Sequence, residues 1–326
     1  MTKHVINLGA AAASLLVLAS SASADIKVNE NFSIGGYAAG SYRYYDQAKT
    51  DKFDLDAAKI NFLTNFSPVS AVASIYYTGG AAPGDDLTLL DAYVNYDAGS
   101  GVTVTAGKFL SYLGYEAFDI PNMAQLTYAN GDFLGAIPAY HSGVKVSYAE
   151  GDWAASVSLL DSVYGGLKGD GELRGNAGFE GMVSYSGLKN LTIFAGIGYQ
   201  SEGTTTAGIP DDGSQEEAAV YNLWASYNLT EKITVAAEYT IKESYFADGH
   251  NWLGFVNFVT SDKTSIAVRV SGEDIDGGPS FVRGTFAPSC KVTENLTVRG
   301  EVSFTDYDDF SLTKDTFFGV QGVFKF

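Results

Sequence analysis

Leu296-Thr297-Val298-Arg299-Gly300-Glu301-Val302-Ser303-Phe304-Thr305 decides the fold. Leu296, Val298, Gly300, Val302 and Phe304 alternate with Thr297, Arg299, Glu301, Ser303 and Thr305, the period of two that places alternate side chains on opposite faces of a β-strand. Residues 233–242 repeat it: Ile233, Val235, Ala237, Tyr239 and Ile241 alternate with Thr234, Glu238, Thr240 and Lys242. In a soluble sandwich the apolar row would face a core. In a wide membrane barrel it faces lipid, and the polar row faces the lumen. About ten residues is the length a tilted strand needs to cross the hydrocarbon layer.

The same unit recurs along the chain, and the connections between units alternate in length. Short ones fall at 67–68, 97–101, 150–151, 186–190, 229–231, 261–262 and 292–294. Long ones fall near 46–52, 79–86, 110–138, 161–175, 201–216, 245–249, 274–279 and 307–314. Seven short turns interleaved with eight long loops predict about sixteen strands with both termini at the short-turn end. The expected fold is therefore all-β, a transmembrane antiparallel β-barrel of about 16 strands.

Residues 1–24 are expected to be a cleaved signal peptide, leaving 25–326 as the barrel. Lys3 supplies a positive start, residues 8–18 an apolar run too short to span a bilayer, and Ala22-Ser23-Ala24 an A-x-A cleavage site. No later stretch is long and apolar enough for a spanning helix. A single cysteine, Cys290, excludes an intramolecular disulfide and reads as a small apolar strand residue. The formal charge of −18 becomes −19 without Lys3, an acidity that argues against nucleic-acid binding. No cofactor is implied.

Aromatic residues sit at strand ends: Tyr96, Tyr148, Trp153, Tyr185, Tyr199, Tyr227 and Trp252. Propensity alone would scatter them, whereas membrane interfaces gather them into girdles. Phe318, Val320, Gly322, Phe324 and Phe326 share one face of the last strand, which resembles the C-terminal assembly signal of outer-membrane barrels.

The connection 110–138, between strands five and six, carries Tyr112, Tyr115, Phe118, Ile120, Met123, Leu126, Phe133 and Leu134. A long loop with that apolar content packs against something. Around it stand Gly107-Lys108-Phe109, Leu113-Gly114-Tyr115-Glu116-Ala117, Pro121-Asn122 and Tyr140-His141-Ser142-Gly143. These motifs, with the barrel pattern of the whole mature chain, resemble bacterial porins, most closely the β-barrel porin type 2 family. The resemblance implies an outer-membrane channel through which ions and small polar solutes diffuse, with no catalytic residues. Lys108 departs from a pore-lining pattern: it is out of phase with inward Thr103 and Thr105 unless a bulge intervenes.

In general porins the third long loop folds into the barrel, so the same is expected of 110–138, the alternative being an outer lid. Glu116 and Asp119 then become constriction candidates. Strand parity places Arg43, Lys59, Arg269, Arg283 and Arg299 on the inward rows of strands thirteen to two, one contiguous sector once the barrel closes. Opposed acids and bases would create a transverse field across the constriction. Alternatively each base pairs with an inward acid such as Glu301 or Glu238 and only stiffens the wall.

The outward rows meet outer-membrane lipid and lipopolysaccharide, and they differ around the barrel. Gly36, Ala38, Gly40, Ala71, Ala73, Ala92 and Ala106 are small, whereas Leu191, Ile193, Ile197, Leu223, Ile233 and Val235 are bulky. Small residues allow close packing, so a homo-oligomer through strands one to five is expected, a trimer by resemblance.

Three other readings remain, one of them a structural or adhesion barrel without an open pore, for which a large lumen plug would be expected and none is apparent. The aromatic loop suits a substrate-specific or hydrophobic-compound channel. An outer-membrane enzyme would need a nucleophile and base, but His141 and Ser142 are adjacent on a strand and point to opposite faces. His250 reads as a solvated loop residue beside Asp248. Finally, Asp306, Asp308 and Asp309 read as a solvated cluster, although such acids can bind divalent cations.

Overall fold

The computed structural model describes residues 25–77, 87–116, 118–129, 133–164, 177–201, 217–244, 247–308 and 313–326. The signal segment 1–24, the loop 79–86, Ala117, Asp309 and most of the loops 161–175 and 201–216 lie outside the described residues.

Among the described residues seventeen strands form: β1 (Ile26–Asn29), β2 (Phe32–Tyr45), β3 (Thr50–Phe66), β4 (Val69–Tyr77), β5 (Leu87–Gly99), β6 (Val102–Leu110), β7 (Tyr140–Glu150), β8 (Trp153–Leu160), β9 (Gly178–Leu188), β10 (Leu191–Gln200), β11 (Ala218–Asn228), β12 (Ile233–Ser244), β13 (Gly249–Val259), β14 (Thr264–Ile275), β15 (Ser280–Lys291), β16 (Leu296–Asp308) and β17 (Lys314–Lys325). Strands β2 to β17 each pair antiparallel with their sequence neighbours. Closure is made by β17 on β2, with Val320 opposite Tyr42 and Phe324 opposite Ala38. These sixteen are the barrel strands expected from the sequence, each numbered one higher here.

The extra strand has a physical role. β17 reaches along β2 only to Gly36, where Gly36 and Phe326 exchange backbone hydrogen bonds of 2.8 and 3.0 Å. The overhang of β2 would otherwise expose unpaired amides and carbonyls. β1 covers it, placing Ile26 opposite Ile34 and Lys27 opposite Ser33.

The two rows of each strand separate as their chemistry requires. On β16, Arg299, Glu301, Ser303 and Thr305 are buried while Val298 and Phe304 are exposed on the outer surface. Tyr96, Tyr148, Trp153, Tyr199 and Tyr227 are exposed at strand ends, and Trp153 packs on Tyr185 at 4.5 Å between ring centres. No described helix is long and apolar enough to cross a membrane, which is silent about strands.

Three expected long loops are corrected. The first connection is not a long loop over 46–52 but a turn at 46–49, because β2 and β3 stay paired through Arg43 opposite Lys52 and Tyr45 opposite Thr50. Asp51 and Lys52 read as loop by polarity, yet they are strand residues of a long hairpin. Within it Phe53 packs on Tyr42 at 5.1 Å. The connections near 245–249 and 274–279 are equally short, since β12 ends at Ser244 and β13 begins at Gly249, and β14 ends at Ile275 and β15 begins at Ser280.

Lys108 stays on the outer row. The ladder from Ala92 opposite Lys108 to Asp97 opposite Thr103 runs without a bulge, and the Lys108 ammonium donates to the Leu89 carbonyl at 2.9 Å. Its neighbour Gly107 has φ +127°, and a Cβ there would meet the Ala92 carbonyl oxygen at 2.1 Å. Only glycine lets the two strands pass at that point.

Candidate functional site

The longest fully framed connection, residues 111–139, joins β6 to β7. Its ends are adjacent, since Leu110 pairs with Tyr140 and the Ser111 amide donates to the Ala139 carbonyl at 2.7 Å. Between them the chain touches the inward rows of strands on widely separated parts of the barrel.

The first limb runs past β9 to β12. The Ser111 hydroxyl donates to Glu180 at 2.8 Å, the Gly114 amide to Asn222 at 3.1 Å, and the Tyr115 amide to Glu238 at 2.9 Å. Leu113 packs among Met182, Phe194 and Trp224 and lies over Gly196, where a Cβ would come within 2.4 Å of the leucine. The Tyr115 ring sits against Trp224 at 5.6 Å and Phe255 at 5.8 Å.

The charges come next. Glu116 accepts from Arg269 at 2.7 Å and from the Ala129 amide at 2.6 Å. Asp119 accepts from Lys59 at 3.1 Å and from the Tyr37 hydroxyl at 3.4 Å, while Lys59 also pairs with Asp91 at 2.9 Å. Phe118 packs on Tyr140 at 5.3 Å. Pro121 follows in a 3-10 turn, Ile120–Asn122, where its missing amide costs nothing.

Beyond the turn the wall holds the loop by its backbone. Arg299 donates to the carbonyls of Ile120 (2.6 Å), Met123 and Gln125. Glu301 accepts from the Leu126 and Thr127 amides and the Thr127 hydroxyl. Arg269 also donates to the Thr127 carbonyl at 2.7 Å. Leu126 lies over Gly319, whose added Cβ would stand 2.8 Å from it. The returning limb is held by Glu273, which accepts from the Phe133 and Leu134 amides at 2.9 and 2.7 Å, and by Lys242, which donates to the Leu134 carbonyl. Burial raises the phenol pKa values of Tyr112, Tyr115 and Tyr128, so these loop hydroxyls stay protonated.

The residues singled out by sequence are thus distributed as follows. Lys59, Arg269, Arg283 and Arg299 are buried on inward rows, and Arg43 is partly exposed there. Lys59, Arg269 and Arg299 touch the loop directly, two through Asp119 and Glu116 and one through carbonyls. Arg43 instead pairs with Asp56 at 2.6 Å. Arg283 donates to Thr305 at 3.0 Å and lies over the Phe281 ring. The acids and bases meet in contact rather than facing each other across water. Sequence reasoning missed Asp56, Asp91, Glu180, Asn222 and Glu273, and the two acids offered in its alternative as partners of wall bases, Glu238 and Glu301, hold loop amides. For the acids a signal was available: a carboxylate in the inward row of a strand needs donors.

One space stays open beside the loop. A cavity of about 300 Å³ lies between Arg43, Asp56, Tyr76 and Gln321 of the wall and Met123 and Tyr128 of the loop, among others. The remaining candidates do not assemble chemistry. His141 is fully buried on the inner row while Ser142 takes the opposite face. His250 is not a loop residue; it stands in β13, its ring stacked on Tyr239 at 5.4 Å. Among the described residues no group of three or more His, Cys, Asp or Glu side chains is arranged for a metal, and Asp306 pairs with Lys314 at 3.8 Å.

Comparison with known proteins adds a family and a set of folds. The family model described as "beta-barrel porin-2, OmpL-like" matches residues 31–326. No curated protein sequence matches the chain. Among solved structures, OprB of Pseudomonas putida superposes with a TM-score of 0.68 at 13% identity, covering 91% of this chain and 94% of that one. The anion-selective porin from Comamonas acidovorans gives 0.64 at 12% identity, with coverages of 91% and 99%. The trimer form of OmpT from Vibrio cholerae gives 0.62 at 11% identity, with coverages of 90% and 99%. At these identities the likeness is one of fold.

Proposed function

The chain belongs to the beta-barrel porin-2, OmpL-like family of outer-membrane porins, and from that premise we propose that its 111–139 loop folds into the lumen and sets the width of the channel. The observation that carries this reading is the ion pair between Glu116 and Arg269, joined by the grip of Arg299 and Glu301 on the loop backbone. A chain held simultaneously by β3, β11, β12, β14 and β16 has to cross the space those strands enclose.

Ions and small polar solutes then diffuse passively through what the loop leaves open. Glu116, Asp119, Lys59, Arg269 and Arg299 act as the frame of the constriction, each charge compensated by a contact rather than offered to solute. Arg43 is the basic-sector side chain that borders the open cavity, and Arg283 stands above the frame against Phe281. Groups held by these contacts keep the opening at one size, because a buried charge stripped of its contact would reorganise the wall.

Two further parts belong to the proposal. Residues 1–24 direct export and are removed. The small outward residues of β2 to β6, with Ala38, Ala71, Ala73 and Ala92, form the contact of a homo-oligomer, a trimer as in the OmpT form above. The test is planar-bilayer recording of the refolded protein: discrete open-channel steps are expected, and a barrel that inserts and conducts nothing overturns the reading.

A further inference from the structure

The cavity beside the loop has two unlike halves. On the wall, Asp56 accepts from Ser41 at 2.7 Å, from Arg43 at 2.6 Å and from the Gln321 amide nitrogen. Acid and base therefore cancel inside one network, and the cavity meets hydrogen-bonding groups with no net charge. The Gln321 carbonyl oxygen is buried without a partner, although Gln321 borders the cavity and is only 1% exposed. An orphaned acceptor at a cavity wall is an open request for a donor. The rest of the lining includes the rings of Tyr76 from β4 and Tyr128 from the loop, with Met123 beside them.

That combination discriminates between solute classes. A cation would compete with Arg43 and the amide for a carboxylate already taken. An anion would have to draw Arg43 away from Asp56. An uncharged molecule with several hydroxyls can donate to Gln321, exchange bonds at Arg43, and lay its C–H face on the tyrosine rings without disturbing the network. The volume of about 300 Å³ sits at the small end of ligand sites. We infer that this cavity is a binding site for a small neutral polyol, of the size of a single sugar or sugar alcohol, through which the channel favours such solutes over ions of equal size. The inference rests on the channel reading given above.

Single-channel recording with mannitol, gluconate and glucosamine tests it, with currents corrected for bulk conductivity. Mannitol is expected to reduce the open-channel current saturably, and gluconate and glucosamine to do so only at about tenfold higher concentration, the step equivalent to one good hydrogen bond. Gln321→Leu is expected to weaken the mannitol effect by a similar factor. Steady steps insensitive to mannitol, or equally sensitive to all three solutes, would overturn the polyol site while leaving the channel intact. Absence of any conductance would instead strike the channel reading on which the site depends.

Discussion

Glu116 of the loop and Arg269 of β14 stand 2.7 Å apart with their side chains 8% and 1% exposed. The two residues are 153 positions apart in sequence, yet each is the other's charge partner. Removing one partner of a buried pair leaves an uncompensated charge, at a cost of about 3–5 kcal/mol. Glu116→Gln and Arg269→Gln are each expected to release the loop, and the double variant to cost less than the sum. Protease sensitivity of 111–139 in the folded barrel measures this; additive effects would separate the two residues.

Glu301 holds the loop by its amides rather than by charge. Glu301→Gln keeps the shape but exchanges a carboxylate accepting four bonds, three of them from the loop and one from Ser303, for a carbonyl accepting fewer, a loss of about 1.5–3 kcal/mol for a bond to a charged group. The expected result is gating noise in single-channel records with an unchanged barrel. A silent variant would mean that the Leu126 and Thr127 amides have other acceptors.

Gly319 is a seat for Leu126, and the consequence depends on size. Gly319→Ala places a methyl against the flexible end of the leucine and is expected to be tolerated at about 1 kcal/mol or less. Gly319→Phe is expected to lift the limb and raise the conductance. Equal conductance for glycine and phenylalanine would contradict the packing described.

Lys108 lies on the outer row, against the Leu89 carbonyl. Lys108→Ala is therefore expected to leave the reversal potential in a salt gradient unchanged, whereas Arg43→Ala, at the open cavity, shifts it. The opposite ranking would place Lys108 in the lumen.

Much of this molecule was legible in its sequence, and the reason is the period of two. Parity along β14 and β16 puts Arg269, Arg299 and Glu301 on the lumen side with no further information, and interleaved turns count the strands. Polarity alone misread the hairpin at 46–49, because the strand residues beyond the apolar band include Asp51 and Lys52. The partners of the wall charges were not legible. Whether Glu301 meets Arg299 or the amides of Leu126 and Thr127 depends on the three-dimensional course of a loop more than 170 residues away in sequence. The roles of Gly196 and Gly319 were hidden for the same reason, since each is defined by a leucine that a distant segment delivers.

The central claim, that residues 111–139 narrow the lumen, is open to a direct measurement. Leu110 and Tyr140 already face each other across the β6–β7 ladder, so a tight two-residue turn can replace the loop without disturbing the barrel. Single-channel conductance of that excised variant, in the same bilayer and salt as the intact protein, is expected to rise severalfold. Conductance unchanged by the excision would contradict the account.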